Sequence, residues 1–517
     1  MNTTAQNSGN DGGNIKGGVA QSGTVRASAP APPSGMPFFE AGAAARYRAE
    51  RLRYGHNYVR KPATTYYHRR LAEIYRFIVR PHSKVLELAC GVGDLLAALE
   101  PSVGVGVDFS SRLLEQAAHR YPKLRFIQCD AHELNLEEQF DYIILSDLVN
   151  ELWDVQSVIE KLVPVCAPST RVIINTYSRL WELPLAIAQL LGLANPILGQ
   201  NWLTREDLGN ILSLGGFEVI RQWQEILCPL HVPLLAPLCN RYLVKLWPLR
   251  YLALTNFIVA RPFAGLLAHE PAPHASGPQR LASVIIPARN ELGNIEELVR
   301  RVPEMGSGTE VIFVEGHSTD DTYAEIERAI VRHPDRCIKL LRQNGTGKGD
   351  AVRRGFAESQ GDVLMILDAD LTVSPEDLPR FYHALRSGRG EFINGVRFVY
   401  PMENQAMRPL NFIVNKFFSL SFSWLLGQPV KDTLCGTKVI SRNDYQAIAE
   451  NRSYFGDFDP FGDFDLLFGA AKLDLKIVDM PVRYHERTYG QSNIQRWRHG
   501  LLLLRMLVFA LQRLKFT

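Results

Sequence analysis

Short apolar runs recur along this chain, and most of them stop at an acidic side chain. Residues 83–93 lead from a Val-Leu-Glu-Leu strand pattern into a small-residue turn at Gly91 and Gly93, then into the helix-forming residues 94–100. The runs 103–109, 124–130 and 140–146 repeat the strand pattern, and the first two of them close on Asp108 and Asp130. A basic, Tyr-rich helical stretch around 69–80 precedes the series. Runs this short and continuous suit strands buried on both faces, and their alternation with helical stretches predicts a parallel sheet. The plan restarts at 281–291, continues through 310–322 and 343–355, and reaches a fourth cycle at 363–371. Two α/β units in series are expected, the strand ends of each converging on its own crevice.

Residues 270–278 separate the two series; they are Pro-rich and uncharged after Glu270, so the boundary falls there. The expected organisation is a disordered tail over 1–44, a first domain over 45–265, a linker over 266–280 and a second domain over 281–517. The tail is Gly, Ser, Ala, Asn and Pro, with too little apolar surface to offset chain entropy, and it shows no leader pattern. The run 226–238 has prolines at 229, 233 and 237, each removing a backbone donor, so it is expected to break any helix. A lid over an apolar acceptor, a lipid contact and packing against the neighbouring domain all fit this run.

Composition adds limits. A chain of 517 residues suits two cores, and a net charge of +3 leaves no bulk nucleic-acid footprint. Seven scattered cysteines without a Cys-x-x-Cys pair point to reduced thiols in the cytoplasm, and away from a structural zinc or a disulfide framework.

Candidate chemistry lies at the strand ends. Glycine in the 91–93 turn lets backbone approach a ligand, and a carboxylate such as Asp108 at the next strand tip can accept both ribose hydroxyls. The ordered series Glu87, Gly91, Gly93, Asp108 and Asp130 resembles the class I S-adenosylmethionine-dependent methyltransferases over about 80–225. That resemblance implies a Rossmann-like sheet, with Glu87, Gly91 and Gly93 at the amino-acid end of S-adenosylmethionine, Asp108 at the ribose and Asp130 at the adenine amino group. A dehydrogenase would need a third glycine where Asp94 and Leu96 stand. Where the family presents its methyl acceptor, this chain has Asp147, Asn150, Glu151 and Asp154. An acid there could take a hydroxyl proton, and a helix cap with a solvated face fits the same residues. Gly215-Gly216-Phe217 resembles the family's late helix-to-strand turn.

In the second series, Asp368-Ala369-Asp370 closes the fourth apolar run, and paired carboxylates there suit a hard divalent cation bridging a diphosphate. Pro287-Ala-x-Asn-Glu291, Gly347-Lys-Gly-x-Ala351, the Asp368 triplet, Gly395-x-Arg397, Asp432-Thr-x-Cys-Gly436 and Arg487-x-x-Gly-x-Ser492 together resemble the GT-A-fold family two glycosyltransferases. The likeness spans about 281–500 and is to the dolichyl-phosphate and polyprenyl-phosphate sugar synthases. It implies a nucleotide-sugar site in which Pro287, Glu291 and Glu315 contact the nucleoside and Lys348 and Gly349 the diphosphate. Asp368 and Asp370 would hold Mg²⁺ or Mn²⁺, and Arg397, Arg408 and Arg487 would grip phosphate or orient the acceptor. Two departures stand out: the family's Asp-Asp-Gly-Ser motif reads Glu315-Gly-His-Ser318, and Thr372 occupies a position where a metal-side residue is sometimes found. Transfer would invert the anomeric carbon. A phosphate acceptor needs no strong base, whereas a hydroxyl acceptor needs a carboxylate; Asp463 and Asp465, within 455–467, fit that role or an N-cap.

The apolar stretches 409–427 and 497–516 are broken by Lys416 and Arg505, so neither is expected to span a membrane. Trp497, Leu501, Leu504, Val508 and Leu511 share one face of a terminal helix with basic residues near its ends, which fits an anionic membrane surface or docking on the domain. The expected protein is a bifunctional transferase. It would act on a nucleotide sugar and a polyprenyl phosphate or lipid-linked glycan, without a nucleic-acid partner, in the cytoplasm or on the cytoplasmic face of a membrane. A glycosyltransferase with a non-catalytic methyltransferase-like scaffold is the alternative.

Overall fold

A computed structural model describes residues 49, 65–192, 201–263, 280–397, 409–452, 463–485, 487, 489 and 496–515. The expected tail over 1–44 and most of the 266–280 linker lie outside the described residues. The described chain builds two mixed α/β sheets of seven strands each.

The first sheet contains β1 (Lys84–Leu88), β2 (Val103–Asp108), β3 (Arg125–Gln128), β4 (Phe140–Ser146), β5 (Cys166–Tyr177), β6 (Phe217–Glu225) and β7 (Thr255–Pro262), ordered 3-2-1-4-5-7-6. β3, β2, β1, β4 and β5 run parallel, and β7 is antiparallel to both β5 and β6. Val85, Leu86, Leu88, Ile143 and Ile144 are fully buried, as the continuous apolar runs require of strands covered on both faces. Chain order reverses between β1 and β4, so the crevice opens above their carboxyl ends. Gly215 caps the Arg205–Leu214 helix, and Gly216, at φ 84°, turns the chain into β6.

The second sheet contains β8 (Ala282–Ala288), β9 (Thr309–Glu315), β10 (Cys337–Arg342), β11 (Val363–Ile366), β12 (Phe392–Val396), β13 (Lys438–Ser441) and β14 (Ile477–Pro481), ordered 10-9-8-11-13-12-14. Parallel pairing joins β10, β9, β8 and β11, while β13 runs against β11 and β12. The switch point here lies between β8 and β11.

Glu50–Thr517 forms one compact unit, and the two sheets meet through charged contacts. Arg171 of β5 donates from Nε to the Asp474 carbonyl at 2.8 Å and from Nη2 to Glu391 at 2.8 Å. Arg261 of β7 reaches the Gly388 carbonyl at 2.6 Å, and Lys476 pairs with Glu218 of β6 at 3.0 Å. Arg221 pairs with Asp474. Buried charges arranged this way demand their partners, because an isolated one loses its hydration without replacement.

Two expectations are corrected. The proline-rich run does not exclude a helix: Leu235–Arg241 is helical, with Pro237 in its first turn, where a missing N–H forfeits no intrahelical bond. The terminal Arg496–Ala510 helix docks through Leu503, Met506, Leu507 and Ala510, and of the expected face Leu511 packs on the same core while Leu501, Leu504 and Val508 do not. Those three are 70%, 46% and 48% exposed. No helix among the described residues is long and apolar enough to cross a membrane.

Candidate active sites

In the first crevice Ala89 follows β1 with φ 57°, and Gly91 and Gly93 come next at φ 55° and 76°. A Cβ on Gly91 would meet nothing within 4 Å, so the turn faces open space, whereas one on Gly93 would lie 2.9 Å from the Phe126 ring. Asp108 binds this turn: Oδ2 accepts from the Gly91 amide and Oδ1 from the Ser110 amide, both at 2.9 Å. Glu87 lies beneath, buried, and accepts from the Leu96 amide; burial pushes its carboxyl up to about 8. Its Oε2 has no hydrogen-bond partner among the described residues. Asp130 caps the following turn and holds His132 at 2.7 Å, and the His132 Nε2 accepts from the Asp154 amide at 3.2 Å. An open glycine turn, an unsatisfied carboxylate oxygen and acids at three successive strand ends fit S-adenosylmethionine.

The four acceptor-side candidates separate. Asp154 is a helix cap, accepting from the Ser157 amide at 3.1 Å. Asn150 is buried structure, bonded to the Asn201 carbonyl and the Tyr177 amide. Glu151 lies in a short 3-10 turn, near enough to push Asp147 upward. Asp147 is different. It follows β4 with φ 55° and accepts from Tyr67 Oη at 2.8 Å, from Asn175 Nδ2 at 2.5 Å and from Tyr177. Asn175 is held in turn by Tyr75 Oη at 2.6 Å. Burial raises the Asp147 carboxyl to about 7, against the lowering effect of these donors. A half-buried carboxylate tuned near neutrality and aimed by phenols is equipped to exchange a proton.

In the second crevice, Lys348 at the start of the Lys348–Glu358 helix places Nζ 2.6 Å from Asp368 Oδ1. Burial pushes Asp368 upward, but Lys348, Lys438 and Arg397 outweigh it and hold the carboxyl below the usual range. Asp370 accepts from Arg487 Nη2 at 2.6 Å and from Thr372 Oγ1 at 2.7 Å, so Thr372 positions this acid. Arg487 also meets Glu291 at 3.3 Å; Asn294 donates to Glu291 at 2.7 Å, and burial lifts the Glu291 carboxyl to about 7. Five expected residues thus converge on one cluster: Glu291, Lys348, Asp368, Asp370 and Arg487. Two carboxylates one residue apart are a donor set that Mg²⁺ or Mn²⁺ can take with phosphate oxygens in the other positions. Here each is paired with a cationic side chain, and among the described residues no third acid, His or Cys joins them in a group that could hold a metal ion.

Other expected residues have different surroundings. Arg397 is nearly buried and pairs bidentately with Asp432 at 2.7 and 2.9 Å, over the Tyr484 ring. It secures the loop that bears Gly436 and lies near enough to Asp368 to lower that carboxyl. Glu315 is bound by the Ser318 amide at its own strand end, opposite Ala288, and Pro287 lies one residue earlier in β8, opposite Val314. Gly349 is buried in the first turn of its helix. Asp465 pairs with Arg452 at 2.9 Å. The Asp463 side chain and Arg408 lie outside the described residues. Tyr67, Asn175 and Tyr177 escaped the sequence reading, as did Asn294; the Tyr-rich stretch noted around 69–80 lies next to Tyr67 but did not single it out.

The two sites define two transferase classes in one chain. Residues 85–169 match the family described as methyltransferase domain, and residues 283–448 match glycosyl transferase family 2. The chain therefore carries a methyltransferase domain ahead of a family 2 glycosyl transferase domain. Similar proteins include a dolichol-phosphate mannosyltransferase of Pyrococcus furiosus, 35% identical over 119 residues, which are 23% of this chain and 33% of the relative. An undecaprenyl-phosphate 4-deoxy-4-formamido-L-arabinose transferase of Edwardsiella ictaluri is 24% identical over 45% of this chain and 67% of its own. The chain thus spans between one third and two thirds of the length of these relatives. Among solved structures, glucosyl-3-phosphoglycerate synthase from Mycobacterium tuberculosis aligns with TM-score 0.34 and 21% identity, over 46% of this chain and 80% of that one.

Proposed function

We propose that the chain is a bifunctional enzyme. Its second half transfers a sugar from a nucleotide sugar, with inversion, to a polyprenyl phosphate or lipid-linked glycan; its first half methylates a hydroxyl using S-adenosylmethionine. The cluster of Asp368, Asp370, Lys348, Arg487 and Glu291 carries the first activity. Asp368 and Asp370 would hold a divalent cation, which supplies Lewis-acid charge against the leaving diphosphate. Lys348 and Arg487 are the cations placed to bind phosphate oxygens, Arg487 through its planar fork. Glu291, lifted toward neutrality, can donate or accept a hydrogen bond at the donor.

In the methyltransferase half, Glu87, Gly91, Gly93, Asp108 and Asp130 would bind S-adenosylmethionine. Asp147 takes the acceptor's proton as the oxygen gains the methyl group, and Tyr67, Tyr177 and Asn175 keep that carboxylate in place. Peripheral contact with the cytoplasmic face of a membrane is part of this reading. It is supported by exposed Leu501, Leu504 and Val508, and by the Glu182–Leu190 helix, which exposes Leu183, Ile187 and Leu190 and buries no residue.

The test uses the full chain. Asp370→Asn should abolish metal-dependent transfer from a nucleotide sugar to polyprenyl phosphate while calorimetric S-adenosylmethionine affinity stays unchanged. Asp108→Ala should weaken that affinity alone. Loss of both activities in either variant would sink the two-site reading. Absence of any S-adenosylmethionine binding by the unaltered chain would favour a scaffold role, to which the arginine-rich junction between the sheets is also suited.

A further inference from the structure

A second concentration of charge lies away from both clusters. A cavity of about 640 Å³ is walled by the Thr65–Ile78 helix, β6, the 237–245 segment, and, from the other half, Leu425, Gly427, Leu514 and Lys515. None of the residues assigned to either crevice lines it. Arg69, Arg70 and Arg76 enter from the helix, Arg221 from β6, and Arg241, Lys245 and Lys515 from the remaining walls; among the described residues Glu73 and Glu225 are the only acids in the lining. Glu225 is engaged by Lys245, by Trp223 Nε1 at 3.1 Å and by Arg70 at 4.0 Å, and Glu73 pairs with Arg70 at 3.0 Å, so two acids are set against seven basic groups.

The basic groups are held in place. Arg69 sits over the Tyr66 ring at 5.3 Å and Arg221 over Trp223 at 4.3 Å, which orients planar donor forks; Arg221 is also paired with Asp474, and Arg70 with Glu73 at 3.0 Å. Lys245 is buried, and Lys515 donates to the Trp424 carbonyl at 2.9 Å above that residue's ring. Burial, then repulsion from Lys245 and nearby arginines, pulls the Lys515 ammonium down to about 7. Gathering like charges in a partly dry cavity is unfavourable unless an anion joins them. The volume is that of a small-molecule pocket, larger than one phosphate needs.

We propose that this cavity is a binding site for a diphosphate group, distinct from both transferase crevices. The group could be free, as on a nucleoside diphosphate, or the headgroup of a prenyl lipid. The 234–246 segment suits the latter: its Arg241 and Lys245 face the cavity, while Leu234, Leu235, Leu238 and Leu246 are exposed.

Titration calorimetry on the full chain in EDTA, which keeps the Asp368 pair free of metal, tests the site. Inorganic pyrophosphate and farnesyl diphosphate are the two probes, with headgroup-free detergent as a blank. Measurable binding of at least one probe is expected. It should weaken at least tenfold in the Arg69→Gln/Lys515→Gln variant and be unaffected by Asp370→Asn or Asp108→Ala. Tighter binding of farnesyl diphosphate assigns the site to a lipid headgroup; equal binding assigns it to a free diphosphate. No binding of either probe, or equal binding by the double variant, would overturn the site. The single Arg69→Gln change, at an exposed side chain, retains the test if the double variant does not fold.

Discussion

Asp147 concentrates in one side chain what a buried proton acceptor requires. Its backbone lies in the left-handed region that non-glycine residues seldom adopt, and such strain persists where surroundings impose it. Because burial raises its carboxyl from 3.8 to about 7, the group favours the fold when protonated. That contribution is complete below the unfolded value and is lost as pH rises through about 7. Above that pH the site holds a destabilised carboxylate, a competent base. Methyl transfer should therefore increase with pH up to about 7 and then level. Asp147→Asn should lower the rate by roughly 10²-fold or more and flatten the profile; an unchanged profile would remove Asp147 from the reaction. The sequence placed Asp147 among four equivalent candidates. What distinguishes it, the hydroxyls of Tyr67 and Tyr177 and the amide of Asn175, comes from residues 28 to 80 positions away, a distance no local pattern encodes.

At the level of elements, both sheets deliver their chemistry in the same way. Ala89 and Asp147 after β1 and β4, and Asn290, His317 and Leu371 after β8, β9 and β11, all have positive φ. Each strand leaves its sheet through a sharp bend that turns the following side chains toward the crevice. These bends were invisible in the sequence because none of them uses glycine, the residue that ordinarily marks such a conformation. Gly436 was visible, as part of a motif, but its purpose was not. A Cβ at 436 would stand 1.9 Å from Asp368 Oδ2, so the loop held by the Arg397 and Asp432 pair packs directly on the carboxylate. Gly436→Ala should push Asp368 away from Lys348 and cut glycosyl transfer at least tenfold, with S-adenosylmethionine affinity retained. Full transfer activity in that variant would show that Asp368 does not need its present position. The departure Glu315-Gly-His-Ser318 keeps a strand-end acid, which the structure uses to bind its own turn.

Across the whole molecule, charged contacts at the junction between the sheets join two halves whose sites share no residue. Arg171 is 4% exposed and bonds to both Glu391 and the Asp474 carbonyl, so removing its charge takes the nearer of two cations from Glu391, leaving Arg261 at 3.5 Å in a poorly hydrated interface. Arg171→Met should destabilise the protein by about 3 kcal/mol or more. Calorimetry should then resolve two unfolding transitions where the unaltered chain shows one; a single unshifted transition would show that the halves are not coupled there. The alternation of strands and helices, both glycine turns, the acidic strand ends and the motifs that mark two transferase classes were set by the sequence alone, because apolar runs and turn residues are local signals that act over a few positions; the order of strands in each sheet was not. The partners of Asp147, the loop behind Asp368, the docking face of the terminal helix and the basic cavity were decided only by the tertiary structure. Each depends on which distant surfaces meet, and burial, which sets both the charge state of a side chain and the need for a partner, exists only once they have met.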